Sequence, residues 1–267
     1  MSRSGLLALV FFSLSAASLR ADQLSDLALD NFAVLGHSTV TNTGPTVLNG
    51  NLGVSPGTSI TGFPPGLVIA PGVIDNNNTA AVNGQAAALT AYNSLAGLAS
   101  TQDLTGQDLG FLTLTPGVYS YSSGAQLTGP LTLNFQDMND AIIVFQIGTL
   151  LNTASGSSVI IEGAGTNDNV YWKVDTATLG TTTAFVGNII AEKSISLGTG
   201  ATINCGSAIA LTGAVTLDTN VISTCTAGAV NGTGGGVVNT TPEPGTLGLL
   251  ATGILGVAGS IRRRLLA

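Results

Sequence analysis

Few side chains in this sequence could carry covalent or proton-transfer chemistry. Its 267 residues include one histidine (His37), two cysteines (Cys205 and Cys225), 7 Lys+Arg and 14 Asp+Glu. Five of the basic residues stand near the ends (Arg3, Arg20, Arg262, Arg263 and Arg264), and only Lys173 and Lys193 lie between them. From Asp22 to Thr240, 2 lysines face 13 acids, a net charge of −11. Such a body cannot neutralise phosphates, which excludes nucleic acid as a partner. A His-rich metal site, a Cys/His nucleophile pair and a Lys/Arg-driven lyase all lack their residues, so no metal, cofactor or catalytic residue is expected. Paired carboxylates remain as the one catalytic option. Asp137 with Asp140, or Asp103 with Asp108, could serve a solenoid glycoside hydrolase, but they fall near turns with no aromatic platform beside them. His37 reads as a structural polar residue and Trp172 as core.

The abundant functional groups are hydroxyls: Thr contributes 34 residues beside 36 Gly. Short polar side chains recur at matched offsets. Thr199-Gly200-Ala201-Thr202 precedes Ile203, Thr181-Thr182-Thr183-Ala184 precedes Phe185, and Ser155-Gly156-Ser157-Ser158 precedes Val159. Thr43-Gly44-Pro45-Thr46 precedes Val47, Thr58-Ser59-Ile60-Thr61 follows a coil later, and Thr219 occupies the same phase further on. Stacked coils would align these residues into ladders with rungs about 4.8 Å apart. Each Thr offers a hydroxyl that anchors water and a methyl that restricts it. A regular, uncharged array of this kind can hold water on a lattice, the requirement for adsorption to ice. The competing explanation is plain β-propensity, since Thr is common on exposed strands. Residues i and i+3 point to opposite sides of a regular strand, so the repeated motif must straddle a bend.

The elements that would position these ladders are repeats. Leu179-Gly180-Thr181, Leu197-Gly198-Thr199 and Leu217-Asp218-Thr219 recur at intervals of 18 and 20 residues. Upstream, Ile189-Ile190-Ala191 falls over Ile209-Ala210-Leu211, Tyr171-Trp172 takes the place of Ile189-Ile190, and the loop Gly163 to Asn169 absorbs the excess of the preceding coil. Three short β-runs per repeat predict an all-β-dominated fold, a three-sided β-solenoid; a β-sandwich is the alternative. The Ala-rich segment about 77–100 has helical spacing through Val82, Ala86, Leu89, Tyr92, Ala96 and Ala99, and Asn78 or Thr79 can cap it. That helix is expected to pack along a solenoid face over the apolar run Ala141 to Phe145. Cys205 and Cys225 are one coil apart, within disulfide reach of each other.

Both ends read as addresses. Residues 1–21 form a secretory signal peptide, with Arg3, an apolar run from Gly5 to Leu14 and small residues before Ala21. The solenoid body then spans 22–230 and a Gly-rich spacer 231–240. The tail, 241–267, carries Pro242-Glu243-Pro244, a 15-residue apolar stretch and Arg262-Arg263-Arg264. This order resembles the PEP-CTERM sorting tail of Gram-negative bacteria, which an exosortase recognises. The resemblance implies export, transient membrane anchoring through the tail, and a cell-surface or exopolysaccharide destination.

Phe32-Ala33-Val34-Leu35-Gly36, the stretch Ser38 to Thr46, Asn51-Leu52-Gly53-Val54-Ser55-Pro56-Gly57 and Thr61-Gly62-Phe63-Pro64-Pro65-Gly66 resemble the opening of the microbial ice-binding proteins. Thr115-Pro116-Gly117-Val118-Tyr119, Ile143 to Ile147, Val170 to Val174 and Phe185 to Ile189 continue the likeness. It implies a right-handed β-solenoid with one helix alongside, a monomer, and adsorption to ice through one flat face. The family's motif, Thr-Ala/Gly-x-Thr/Asn, is met in full at Thr43–Thr46 and Thr199–Thr202. The candidate ice contacts are therefore Thr43, Thr46, Thr58, Thr61, Ser155, Ser158, Thr181, Thr183, Thr199, Thr202 and Thr219. The reading from another class is a structural surface or matrix protein in which the Thr array is scaffold only.

Overall fold

The computed structural model describes residues 31–225. The segments read as a signal peptide, a Gly-rich spacer and a sorting tail lie outside those residues. Within them, short runs of apolar and β-branched residues punctuated by Gly, Asn and Asp form parallel strands wound into a three-sided solenoid. One side is a separate seven-stranded sheet. The other two sides are joined as one 15-stranded sheet, because Ala184–Ala191 and Thr202–Ala210 each run round the vertex between them. One of these two sides is covered by a helix and is called the helix face; the other is called the third face.

The coils do not stack in chain order. Val34 and Leu35 pair with Ala208 and Ile209, Val40 with Val215, and Val47 with Val221. The first coil therefore seats directly on the last. The chain winds through 32–49 and 51–68, adds Ile74–Asn76, and then leaves the stack as a helix. It restarts at the far end with Gln102–Asp103 and returns coil by coil to its own beginning. Repeat spacing shows only that coils are alike. Their order depends on which edges meet, and nothing in the spacing encodes that.

The helix, α1, spans Thr79–Ala96, and the Asn78 side chain accepts from the Ala81 N–H at 3.0 Å as its N-cap. It buries Ala81, Gly84, Ala88, Ala91, Tyr92 and Leu95, while Val82 and Leu89 remain about half exposed, at 49% and 52%. The expected stripe through Val82, Ala86 and Leu89 is thus rotated away from the sheet. The reason is proximity, because the small-residue stripe brings the helix close to Phe32, Leu35, Val144 and Ile209. A Cβ on Gly84 would stand 2.7 Å from Phe32 Cε2, so only glycine fits there. Side-chain anchors fix the helix along its length. Gln85 Nε2 donates to the Ala210 carbonyl at 3.1 Å, and Gln146 Nε2 to those of Leu95 and Leu98 at 2.7 and 2.9 Å. The Tyr92 hydroxyl donates to Glu192, and the Lys173 ammonium lies 4.6 Å from the Tyr92 ring centroid. Burial, together with the negative charges of Glu192 and Asp175, holds the Tyr92 hydroxyl protonated well above its usual range.

Inside the coils, parallel pairing in register stacks like on like. Tyr119, Phe145, Trp172 and Phe185 form an aromatic column, with Phe145 and Trp172 centroids 3.9 Å apart. Trp172 is fully buried and its indole N–H reaches the Val186 carbonyl at 3.0 Å. It pairs with Ile189 rather than Ile190, and Ile189 pairs with Ala208 rather than Ile209, each one residue from the sequence alignment. At the second step the extra residue is Cys205, at φ 51°, which the register skips between Val186 with Asn204 and Gly187 with Gly206. Cys205 and Cys225 form a disulfide there.

Candidate functional site

Four of the seven strands on this face carry a polar–aliphatic–polar triplet, Thr39-Val40-Thr41, Ser59-Ile60-Thr61, Thr176-Ala177-Thr178 and Ser194-Ile195-Ser196, and a fifth carries Ala214-Val215-Thr216. Alternation sends the central residue inward, and Val40, Ala177, Ile195 and Val215 are fully buried. The outer residues then form columns. The registers align Gln126, Asn152, Thr178, Ser196, Thr216, Thr41 and Thr61 as seven consecutive rungs. A second column follows the other flank of the triplets, through Leu150, Thr176, Ser194, Ala214, Thr39 and Ser59. Rungs about 4.8 Å apart and residues two apart along a strand, about 6.6 Å, give a rectangular grid. Neither column contains an ionisable side chain.

The hydroxyls of Thr39, Thr41, Thr61, Thr176, Thr178, Ser196 and Thr216 make no hydrogen bond among the described residues. They are free to bond water. At the far end of the column Asn152 Nδ2 donates to Gln126 Oε1 at 2.9 Å, so the two amides partly satisfy each other.

The sequence-derived candidates distribute differently. Thr61 lies in the seven-rung column, and Thr43 ends its strand on the same face, paired with Asp218. Thr58 is exposed just before its strand. Ser155, Thr181 and Thr199 are exposed at the turn leading from the seven-stranded face to the third face, with Thr219 in the same turn at φ 55°. Thr199 Oγ1 donates to Asp218. Ser158 and Thr202 open strands of the third face, where the rungs beside Thr202 are Ala184 and Val221.

Two candidates are corrected outright: Thr46 and Thr183 are fully buried. The motif straddles a corner, and its later members turn inward to satisfy backbone and side chains that the bend would otherwise orphan. Thr46 Oγ1 donates to Asn42 Oδ1 and accepts the Asn220 N–H at 3.0 Å. Thr183 Oγ1 lies 2.8 Å from Thr153 Oγ1, and Asn220 Nδ2 reaches the carbonyls of Gly198 and Ala201, both at 2.9 Å. Thr39, Thr41, Thr176, Thr178, Ser196 and Thr216, whose hydroxyls line the two columns, are absent from the candidate set. Their signal was the polar–aliphatic–polar triplet recurring once per coil.

The four carboxylates that are the sequence's one catalytic option lie in or beside turns and loops. Asp103 accepts from the N–H and hydroxyl of Thr105, and these bonds hold its pKa below the ordinary value. For Asp108, desolvation pulls upward but is outweighed by the Gly110 N–H and the hydroxyl and N–H of Thr128, so the net shift is down. Asp137 and Asp140 lie in the loop at the vertex between the helix and third faces, each with φ 56°. Among the described residues no cluster of three His, Cys, Asp or Glu could hold a metal ion.

Comparison with known proteins agrees with this geometry. Residues 34–223 match the ice-binding-like family model, and residues 240–264 match the PEP-CTERM protein-sorting motif. An ice-binding protein of Nostoc sp. (strain HG1) is 53% identical over 220 residues, covering 82% of this chain and 81% of that one. An ice-binding protein of Colwellia sp. is 32% identical, covering 72% and 80%. Among solved structures, an ice-binding protein from an Antarctic biological consortium superposes with a TM-score of 0.70 at 37% identity, covering 84% of this chain and 96% of that one. That of the Antarctic ascomycete Antarctomyces psychrotrophicus gives 0.70 at 40%, covering 74% and 97%. The protein belongs to the ice-binding-like family, as a solenoid body followed by a PEP-CTERM sorting motif.

Proposed function

We propose that this protein adsorbs to ice through its seven-stranded face, without catalysis. The observation that carries the reading is a grid that holds seven hydroxyls with no hydrogen bond among the described residues and contains no ionisable group. Water held by such a rigid, regular array is already arranged as a lattice. Adsorption then adds little ordering cost, because the backbone ladder beneath has fixed the hydroxyls in advance. The methyls between them exclude disordered water, and their contact with the solid contributes through buried apolar area. Charge would work against this by holding hydration shells that do not fit a crystal.

The contact set proposed is Thr39, Thr41, Thr61, Thr176, Thr178, Ser196 and Thr216. Thr43, Thr58, Ser155, Thr181 and Thr199 extend its margins, whereas Ser158 and Thr202 face another side. The chain is read as monomeric and exported. A signal peptide ending near Ala21 directs secretion, and exosortase processing around Pro242-Glu243-Pro244 follows transient membrane anchoring, at the surface of a Gram-negative cell. The test is ice-crystal shaping and recrystallisation inhibition by purified protein. Shaped crystals and slowed grain growth are expected. Unmodified growth at all concentrations would favour the matrix-protein alternative.

A further inference from the structure

The folded body receives and releases its chain at one vertex. Cys205 lies where Thr202–Ala210 turns from the third face onto the helix face, and the disulfide holds Cys225 against it. The Thr224 N–H donates to the Asn49 carbonyl at 3.1 Å, and the Asn51 N–H to the Asn31 carbonyl at 2.6 Å, so entry and exit adjoin the same corner. In a three-sided prism this is the only vertex that does not border the seven-stranded face.

We propose that this vertex is a mounting point. The described chain ends at the vertex opposite the hydroxyl grid, so a tether rooted there leaves the grid free to face outward, and the Cys205–Cys225 bond clamps the root against tension. The protein then links the surface holding its tail to a solid ice surface. This rests on the ice-face reading above. The clamp follows from where force enters. Val221–Ser223 is a three-residue strand, and a pull from residue 226 onward would open its rungs one at a time. That strand is the last coil's third-face contact with the first, so peeling it would open one of the three sides of the junction across which the grid is continuous. With the disulfide closed, force passes instead to Cys205, inside a nine-residue strand whose rungs must shear together.

The test mounts the full chain on beads through a biotin at its C-terminus and presses them to ice in a flow cell, with the same chain assayed free in solution. C-terminally mounted beads should adhere, and beads mounted through Thr178→Cys, on the grid itself, should adhere severalfold less. Reduction of the wild-type disulfide with dithiothreitol, and separately the Cys205→Ser/Cys225→Ser pair, should lower the detachment force severalfold while slack adhesion persists. Using both treatments separates the clamp from any folding defect of the variant. If dissolved protein binds ice but C-terminal mounting abolishes adhesion, the outward presentation is wrong. If detachment force is the same with the disulfide open and closed, the clamp is wrong. If dissolved protein does not bind ice, the proposed function fails first.

Discussion

Replacing Thr216 by Tyr places the perturbation at the centre of the grid, between Ser196 and Thr41 in its column and beside Ala214 in the next. A phenol ring standing out from a plane of short side chains holds a flat lattice away from its neighbours. The methyls of Thr216, Thr41 and Ala214 lose contact, and at about 0.8 kcal/mol per buried methyl the loss is roughly 2.4 kcal/mol. That corresponds to an approximately 50-fold weakening, since each 1.4 kcal/mol is tenfold. Folding should be almost unaffected, because exposed substitutions usually change stability by less than about 0.5 kcal/mol and an exposed aromatic suits a strand. The assay is the concentration giving half-maximal recrystallisation inhibition, with thermal unfolding in parallel. Thr132→Tyr, on the third face, is the control and should keep parental activity. Full activity in a folded Thr216→Tyr protein would refute the assignment of the face.

Thr46→Val should destabilise the fold by about 1–3 kcal/mol, because it leaves the buried Asn220 N–H without its acceptor; urea denaturation measures this. Breaking the disulfide with Cys205→Ser/Cys225→Ser opens a loop of 20 residues, and the loop-entropy estimate gives a loss of about 3 kcal/mol, read as a lowered Tm that reductant reproduces in the parent. Ice activity should be constant from about pH 5 to 8, since no group in either column titrates. Stability at the 102–128 end should behave differently. Asp103 and Asp108 have depressed folded pKa values, so their contribution is present above the ordinary 3.8 and is lost as pH falls below it. Asp168 has a raised value: burial drives it up, against the Ala141 and Gly165 N–H bonds that partly offset it. Its folded form takes up a proton more readily than the unfolded chain, so it favours folding as pH drops. Hydrogen exchange below pH 3.8 should therefore quicken at 102–128 before the 163–168 loop, and uniform opening would contradict these assignments.

The solenoid was legible because parallel coils repeat their chemistry. Ala177, Ile195 and Val215 occupy one inward column, and their spacing of 18 and 20 residues is visible without coordinates. The disulfide followed from the same interval. What spacing alone could not show was phase and order. An extra residue, Cys205, shifts the register beyond it, and the junction of the first coil with the last is an edge-to-edge contact between distant segments. The helix was legible in extent but not in orientation, since its close approach to Phe32 selects the smallest residues rather than the most hydrophobic. The Thr-x-x-Thr motif drew the site to the corners, where part of it is internal scaffolding. The strand triplets carried the surface, in period-two alternation that a search for a longer motif overlooks.

Contact between ice and particular methyl groups tests the central claim most directly. Protein frozen with ice, its Thr methyls labelled with carbon-13, can be examined by polarisation transfer from ice protons. The methyls of Thr39, Thr41, Thr61, Thr176, Thr178 and Thr216 should receive that polarisation first, and those of Thr46 and Thr183, buried in the corner, should lag. Thr113 and Thr132, paired on the third face, should lag as well. First transfer to Thr113 and Thr132 with none to Thr41 or Thr216 would place the ice on a different side of the molecule.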